Sequence, residues 1–153
     1  MRTVAVQGDL LMSGSIDMSN KLYNLNNAIG KYNFSKELKY HEGHVLNICP
    51  QVGGTGFISA GRDNKAILID ADGSPVMEFV GHEQAVNSVS QSIKEELVTG
   101  SWDGTAKIWD VETGKCKETL SGHSHAVATL SLPNGIIITG SQDKKIRLWF
   151  AGQ

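Results

Sequence analysis

Four segments of the chain repeat one another: "LMSGSIDMSNKLY", "FISAGRDNKAILI", "LVTGSWDGTAKIW" and "IITGSQDKKIRLW". Each carries an apolar run, a hydroxyl-bearing residue, an aspartate and a closing bulky residue. Asp17, Asp63, Asp103 and Asp143 fall 46, 40 and 40 residues apart, and His41, His82 and His123 precede the last three at a constant spacing of 41. A period near this length means stacked supersecondary units, none of which can bury its apolar surfaces alone.

Inside each unit, short β-rich runs are separated by turn signals, and no apolar spacing of three and four is sustained as a helix requires. The third unit reads as strand "AVNSVSQ", strand "ELVTGS", an Asp-Gly turn, strand "TAKIWD", loop "VETG" and strand "KCKETL". With 17 glycines against 3 prolines, tight turns fit better than stiff linkers. The first strand alternates small and apolar residues, the middle strands are apolar on both faces, and the fourth is polar, as an outer edge should be. Four antiparallel strands per unit, repeated side by side, predict an all-β fold of the β-propeller kind. The blades run over about 1–39, 40–80, 81–121 and 122–153, the last without its outer strand. Counting back from "RTVAV" places the first entry histidine before Met1, so about three and three-quarter blades are expected. Open lateral faces of such blades are apolar and must be covered. Further blades of a longer ring of seven would do this, and so would two copies associating through their flanks.

Charge and composition exclude several classes. Fourteen basic residues against 16 acidic ones leave no excess for a phosphate backbone, so nucleic acid is not an expected partner. No apolar run approaches the roughly 20 residues of a membrane span, and no export leader is visible at the N-terminus. Cys49 and Cys116 lack metal-ligand spacing and disulfide density, which points to reduced thiols inside a cell, cytoplasmic or nuclear. His44 and His125 stand close to His41 and His123, but neither pair has a third and fourth ligand beside it, so no metal or other cofactor is expected.

One constellation looks like chemistry. Each complete unit offers a histidine before its inner strand, a hydroxyl in its second strand, an aspartate in the turn, and a tryptophan six residues on. In the third unit these are His82, Thr99, Asp103 and Trp109, and in the fourth His123, Thr139, Asp143 and Trp149. The second has His41, Ser59 and Asp63 with Ile69 in place of Trp, and the first has Ser13, Asp17 and Tyr23. A hydroxyl, an imidazole and a carboxylate suggest a serine/threonine hydrolase. Repetition once per unit, with the hydroxyl on a strand between neighbouring sheets, argues instead for a structural relay that gives every buried polar atom a partner. No catalytic residue is expected.

These residues also carry a family resemblance. The Gly-His pairs at Gly81-His82 and Gly122-His123, the turn aspartate, and the endings "KIWD" and "RLWF" resemble WD40 repeats over essentially the whole chain. Such propellers are generally non-enzymatic platforms, so the resemblance implies a scaffold that binds proteins or peptides. "LVTGSWDGTAKIWD" followed by "IIITGSQDKKIRLWFAGQ" is similar to the propeller of the phospholipase-activating protein family (PLAA, Doa-type in yeast). That resemblance implies ubiquitin as the partner and a role as adaptor for ubiquitin-dependent degradation by an AAA segregase. The first unit departs from that family's pattern, with "SIDMSNKLY" where an Arg-Asp turn and a Trp are usual.

Trp102 belongs to no relay. As the residue before the turn aspartate it is placed on the propeller rim, where the other units carry Ile16, Arg62 and Gln142. A lone exposed indole is the kind of side chain that dominates binding when a partner desolvates it. The third and fifth residues after each entry histidine are expected on the same face: His44 and Leu46, Ala85 and Asn87, Ala126 and Ala128, with Arg2 matching Asn87 in the first unit. The candidate partner-binding residues are therefore Trp102, Arg62, Gln142, Arg2, Asn87, His44 and Ile16. Packing of Trp102 onto a neighbouring loop is the competing reading.

Overall fold

A computed structural model describes residues 1–26, 28–92, 96–131 and 135–150; the end of the fourth predicted blade, residues 151–153, lies outside the described residues. The chain is all β-strand in four antiparallel sheets, each formed by strands consecutive in sequence. The first sheet contains β1 (Thr3–Gln7), β2 (Leu10–Gly14), β3 (Asn20–Asn26) and β4 (Lys31–Leu38). The second contains β5 (Val45–Pro50), β6 (Phe57–Gly61), β7 (Lys65–Ile69) and β8 (Pro75–Val80). The third contains β9 (Val86–Gln91), β10 (Glu96–Ser101), β11 (Ala106–Asp110) and β12 (Cys116–Leu120). The fourth is three-stranded, with β13 (Val127–Ser131), β14 (Ile136–Ser141) and β15 (Ile146–Phe150).

The core lies between sheets. Ala5, Met12, Leu22 and Leu38 of the first sheet pack with Val45, Ile48, Phe57 and Ile69 of the second. Ile58, Ala66, Leu68 and Phe79 continue from the second onto Val86, Val89, Leu97 and Trp109 of the third. Val98, Ala106, Ile108 and Leu120 pack in turn with Val127 and Ile137 of the fourth. In the second and third sheets each middle strand feeds two such layers from its alternate residues, which is why β6, β7 and β10 are apolar without a polar face. The outer strands β4, β8 and β12 are mostly exposed and carry the charges.

Polar groups tie neighbouring sheets as well. Asn47 Oδ1 accepts from Val89 N at 3.0 Å, and Ser88 Oγ accepts from Thr129 N at 3.0 Å. The residue after each turn aspartate has a left-handed backbone: Met18 (φ 70°), Asn64 (φ 69°), Gly104 (φ 85°) and Lys144 (φ 67°).

Counting from the entry histidine fails at one detail. β5 and β9 each pass an extra residue at their first pair, so Leu46 and Asn87 occupy bulges, while β13 runs without one and pairs Ala128 with Gly140. Ala128 therefore stands in the register of Ser88, not of Asn87. Leu46 and Ala85, expected on the rim face, are buried.

Candidate functional site

The aspartate turns set the geometry of one face. In the third unit Asp103 Oδ1 accepts from Thr105 N (2.9 Å) and the Thr105 hydroxyl (2.7 Å), which closes the turn. Its Oδ2 accepts from Glu83 N at 3.1 Å and from His82 Nδ1 at 2.7 Å. The far side of the His82 ring meets Thr99 Oγ1 at 2.7 Å, and the same oxygen accepts from Trp109 Nε1 at 2.8 Å. One proton assignment satisfies all of these atoms. His82 carries its proton on Nδ1, Thr99 donates to Nε2, and the indole donates to Thr99.

The fourth unit repeats the relay, with His123 at 2.8 Å from Asp143 and 2.9 Å from Thr139, and Trp149 Nε1 at 2.9 Å from Thr139. In the second, His41 lies 2.9 Å from Asp63 and 2.8 Å from Ser59, and Ile69 closes the chain with no donor. The first unit keeps only the turn: Asp17 accepts from Ser19 N (3.0 Å) and Ser19 Oγ (2.6 Å).

Burial alone would raise the Asp103 carboxyl, but hydrogen bonds from Thr105 and His82 outweigh it and leave it below its ordinary 3.8. Asp63 is lowered against the same burial by His41 and the Glu42 amide. At Asp143 desolvation pulls upward, but His123 and the amides of Lys145 and Ser124 outweigh it and bring the carboxyl down to about 2. Burial pushes His82 down, against the pull of Asp103, so its imidazole is neutral at pH 7. Thr99 is wholly buried, and its hydroxyl is engaged on both sides. A nucleophile needs an approach path, and this oxygen has none. Among the described residues no three His, Cys, Asp or Glu side chains gather as metal ligands, and no helix is long and apolar enough to cross a membrane. Burial pushes the Cys49 thiol up to about 12, so it is not a reactive thiolate.

In the second, third and fourth units the residue before the aspartate is tied by its backbone to the loop that enters the inner strand. Trp102 N donates to Ala85 O (3.0 Å), Arg62 N to His44 O (2.8 Å) and Gln142 N to Ala126 O (3.2 Å). Trp102 is 39% exposed. The Arg62 guanidinium lies 5.4 Å from its ring centroid, a cation–π contact between the second and third units. On its other side the indole walls an open cavity of about 400 Å³ lined by Ser124, His125, Ala126 and Gln142. A second cavity shares Ala126 and Gln142 and continues past Asn87, Ala128, Gly140 and Ser141.

The structure thus brings Arg62, Trp102 and Gln142 together. Ile16 is exposed on the first unit, and neither it nor Arg2 or His44 lines these cavities. Asn87 is committed to the fold. With its amide nitrogen oriented by the surrounding acceptors, it donates to Gly100 O at 2.9 Å and Val127 O at 2.8 Å. Ser124 and His125 line the site, although sequence reasoning assigned His125 no role beyond its lack of metal-ligand partners. The usable signal was their place just after the entry histidine, in the loop that faces Trp102. Their side chains are joined at 3.0 Å.

The comparisons agree with this architecture. The family described as "WD domain, G-beta repeat" matches residues 73–110 and 114–149. A ribosome biogenesis protein WDR12 homolog of Nematostella vectensis is 39% identical over 77 residues, 50% of this chain and 18% of that protein. Nuclear distribution protein PAC1-2 of Uncinocarpus reesii is 29% identical over 95% of this chain and 36% of its own length. Mitochondrial division protein 1 of Aspergillus terreus is 31% identical over 52% of this chain and 12% of its own. The chain therefore spans about a third or less of these relatives. The computationally designed Ika4 protein has the same fold, with a TM-score of 0.85 at 24% identity, over 98% of this chain and 90% of that one. The histidine, turn aspartate and closing tryptophan of the third and fourth units stand inside the matched segments, so the chain is an all-β propeller array whose residues 73–110 and 114–149 match WD40 repeats.

Proposed function

We propose that this chain is a non-catalytic scaffold that binds a protein partner on the rim face centred on Trp102. The observation that carries the reading is a half-open indole, stacked by Arg62 on one side and bordering an unfilled cavity on the other. No relay uses this side chain, and its surface is desolvated only when something covers it. Gln142, Ser124 and His125 supply polar groups around it, the arrangement of an aromatic anchor within a hydrogen-bonding rim. Similarity to a ribosome biogenesis protein, a nuclear distribution protein and a mitochondrial division protein supports a role in assembly over one in catalysis.

The partner we propose is ubiquitin, as part of ubiquitin-dependent degradation. This finer reading rests on the resemblance of "GSWDGTAKIWD" and its successor "TGSQDKKIRLW" to the phospholipase-activating protein propeller. Titration of mono-ubiquitin by calorimetry tests it. Saturable binding is expected, weakened by about 2 kcal/mol or more in Trp102→Ala, the range of an interface hot spot. No binding to ubiquitin ends the finer reading. A partner found by other means whose affinity ignores Trp102→Ala ends the site itself.

A further inference from the structure

We propose that the face of the array opposite Trp102 binds an extended segment of a partner protein, basic and apolar in composition, in two clefts on either side of the β5–β6 loop. The proposal is independent of the rim reading, because it concerns the other ends of the strands.

Antiparallel strands put the aspartate turns at one end of each sheet and the connections β1–β2, β5–β6 and β11–β12 at the other. Between the second and third units these connections leave a cleft of about 240 Å³, walled by Leu68, Val76, Met77 and Val111, with Gln91 and Glu112 beside them. Between the first and second units a cleft of about 370 Å³ is lined by Leu10, Thr55 and Ala71, with Asp9 beside them. The β5–β6 loop borders both, through Val52 and Gly53 on one side and Thr55 on the other. It is held from both neighbouring units. Gln7 Nε2 donates to Gln51 O (3.0 Å) and Gly54 O (2.7 Å), and Val52 N donates to Gln91 Oε1 (2.8 Å). The β11–β12 loop is fixed as well, with Asp110 Oδ1 accepting from Glu112 N (3.1 Å) and Thr113 N (2.9 Å). The walls therefore stand before anything enters, which lowers the ordering cost of binding.

The unpaired groups define the occupant. Gln91 Oε1 is used, but its Nε2 is buried with no hydrogen-bonding partner among the described residues. A buried donor of this kind is costly until an acceptor reaches it, and the carbonyls of a peptide backbone are acceptors. The loop's own acceptors, Gln51 O and Gly54 O, are already taken by Gln7. Asp9 and Glu112 place one exposed residue with a carboxylate at each cleft. Among the described residues neither has an ion-pair partner, and no Lys, Arg or His lines either cleft. Such a surface disfavours an anion and favours a basic segment. The apolar walls accept aliphatic side chains, and lysine or arginine stems can lie along them while their charged ends reach the carboxylates. Gly53 and Gly54 leave the ridge between the clefts without side chains, so an extended backbone can cross it. The chain then holds one partner at Trp102 and a second on the opposite face.

The probe is a capped hexapeptide alternating valine and lysine, titrated into the isotope-labelled 153-residue chain and followed by NMR. Saturable shifts are expected at the amides of Val52, Gly53 and Glu112 and at the Gln91 side-chain amide, with the Trp102 indole N–H unmoved. The same peptide with glutamate for lysine should bind at least about tenfold more weakly. Asp9→Lys and Glu112→Lys, both at exposed positions, should each weaken the lysine peptide about threefold or more without moving the thermal melt. Trp102→Ala should leave this affinity unchanged, so the two faces are read separately. Absence of shifts at these groups, equal binding of the two peptides, or indifference to both charge reversals would overturn the proposal.

Discussion

Asn20 is fully buried in the first sheet, and neither its amide nitrogen nor its oxygen has a hydrogen-bonding partner in the protein. Ala66 and Ala106 stand at the same register in the next two units, so an alanine fits there. Asn20→Ala should therefore raise stability by about 1 to 3 kcal/mol, the cost of a stranded polar group, read as a higher urea midpoint with an unchanged slope. The relay predicts the opposite sign. Thr99→Val keeps shape but strands both the His82 ring and the Trp109 N–H, and should cost about 2 kcal/mol or more. Ser59→Ala strands only His41, because Ile69 makes no demand on that hydroxyl, and should cost less. Equal losses at Thr99 and Ser59 would mean that the indole bond contributes nothing. The members of these relays could be named from spacing alone, since the same residue types return at the same intervals. The partnerless Asn20 could not, because polarity in a sequence does not reveal whether a partner lies within reach.

At the scale of the elements, the turn before each third strand demands a left-handed residue at one fixed place. Gly104 meets that demand without strain, while Met18 and Lys144 adopt it against the preference of any L side chain. Met18→Gly should gain about 0.5 to 1 kcal/mol, and Gly104→Ala should lose at least as much, since its Cβ also comes within 3.0 Å of His123 O. Paired thermal melts check both. The strands themselves were legible because β-branched runs and Asp-Gly or Asp-Asn signals alternate at short range. The bulges at Leu46 and Asn87 were not. An extra residue in one strand is defined only by what the other strand does opposite it, so the fourth unit's shorter count misled the placement of Ala128.

Over the whole molecule, the repeated His–Asp pairs make stability sensitive to acid. The His82 ring is lowered from its ordinary 6.5, so below that value the unfolded chain takes up a proton that the folded one resists. The carboxyls of Asp63, Asp103 and Asp143 are likewise lowered from 3.8, so the stability they supply is complete above that value and drains away as pH falls through their folded values. Both contributions have the same sign. Melting temperature should be flat from about pH 8 down to about pH 7, fall below 6.5, and fall more steeply below 4; a melting temperature that rose between pH 7 and 5 would contradict the neutral His82.

The sequence by itself determined the repeat, the all-β architecture and the relay chemistry, because each depends on residue type at short and regular spacing. Only the tertiary structure decided that Arg62 reaches across a unit boundary to Trp102, that Asn87 is spent on holding two sheets together, and that Gly140 faces empty space where Gly14 and Gly100 are crowded. The reason is physical: these contacts cross from one unit to the next, and identical local patterns present identical groups whether or not a neighbour stands beside them.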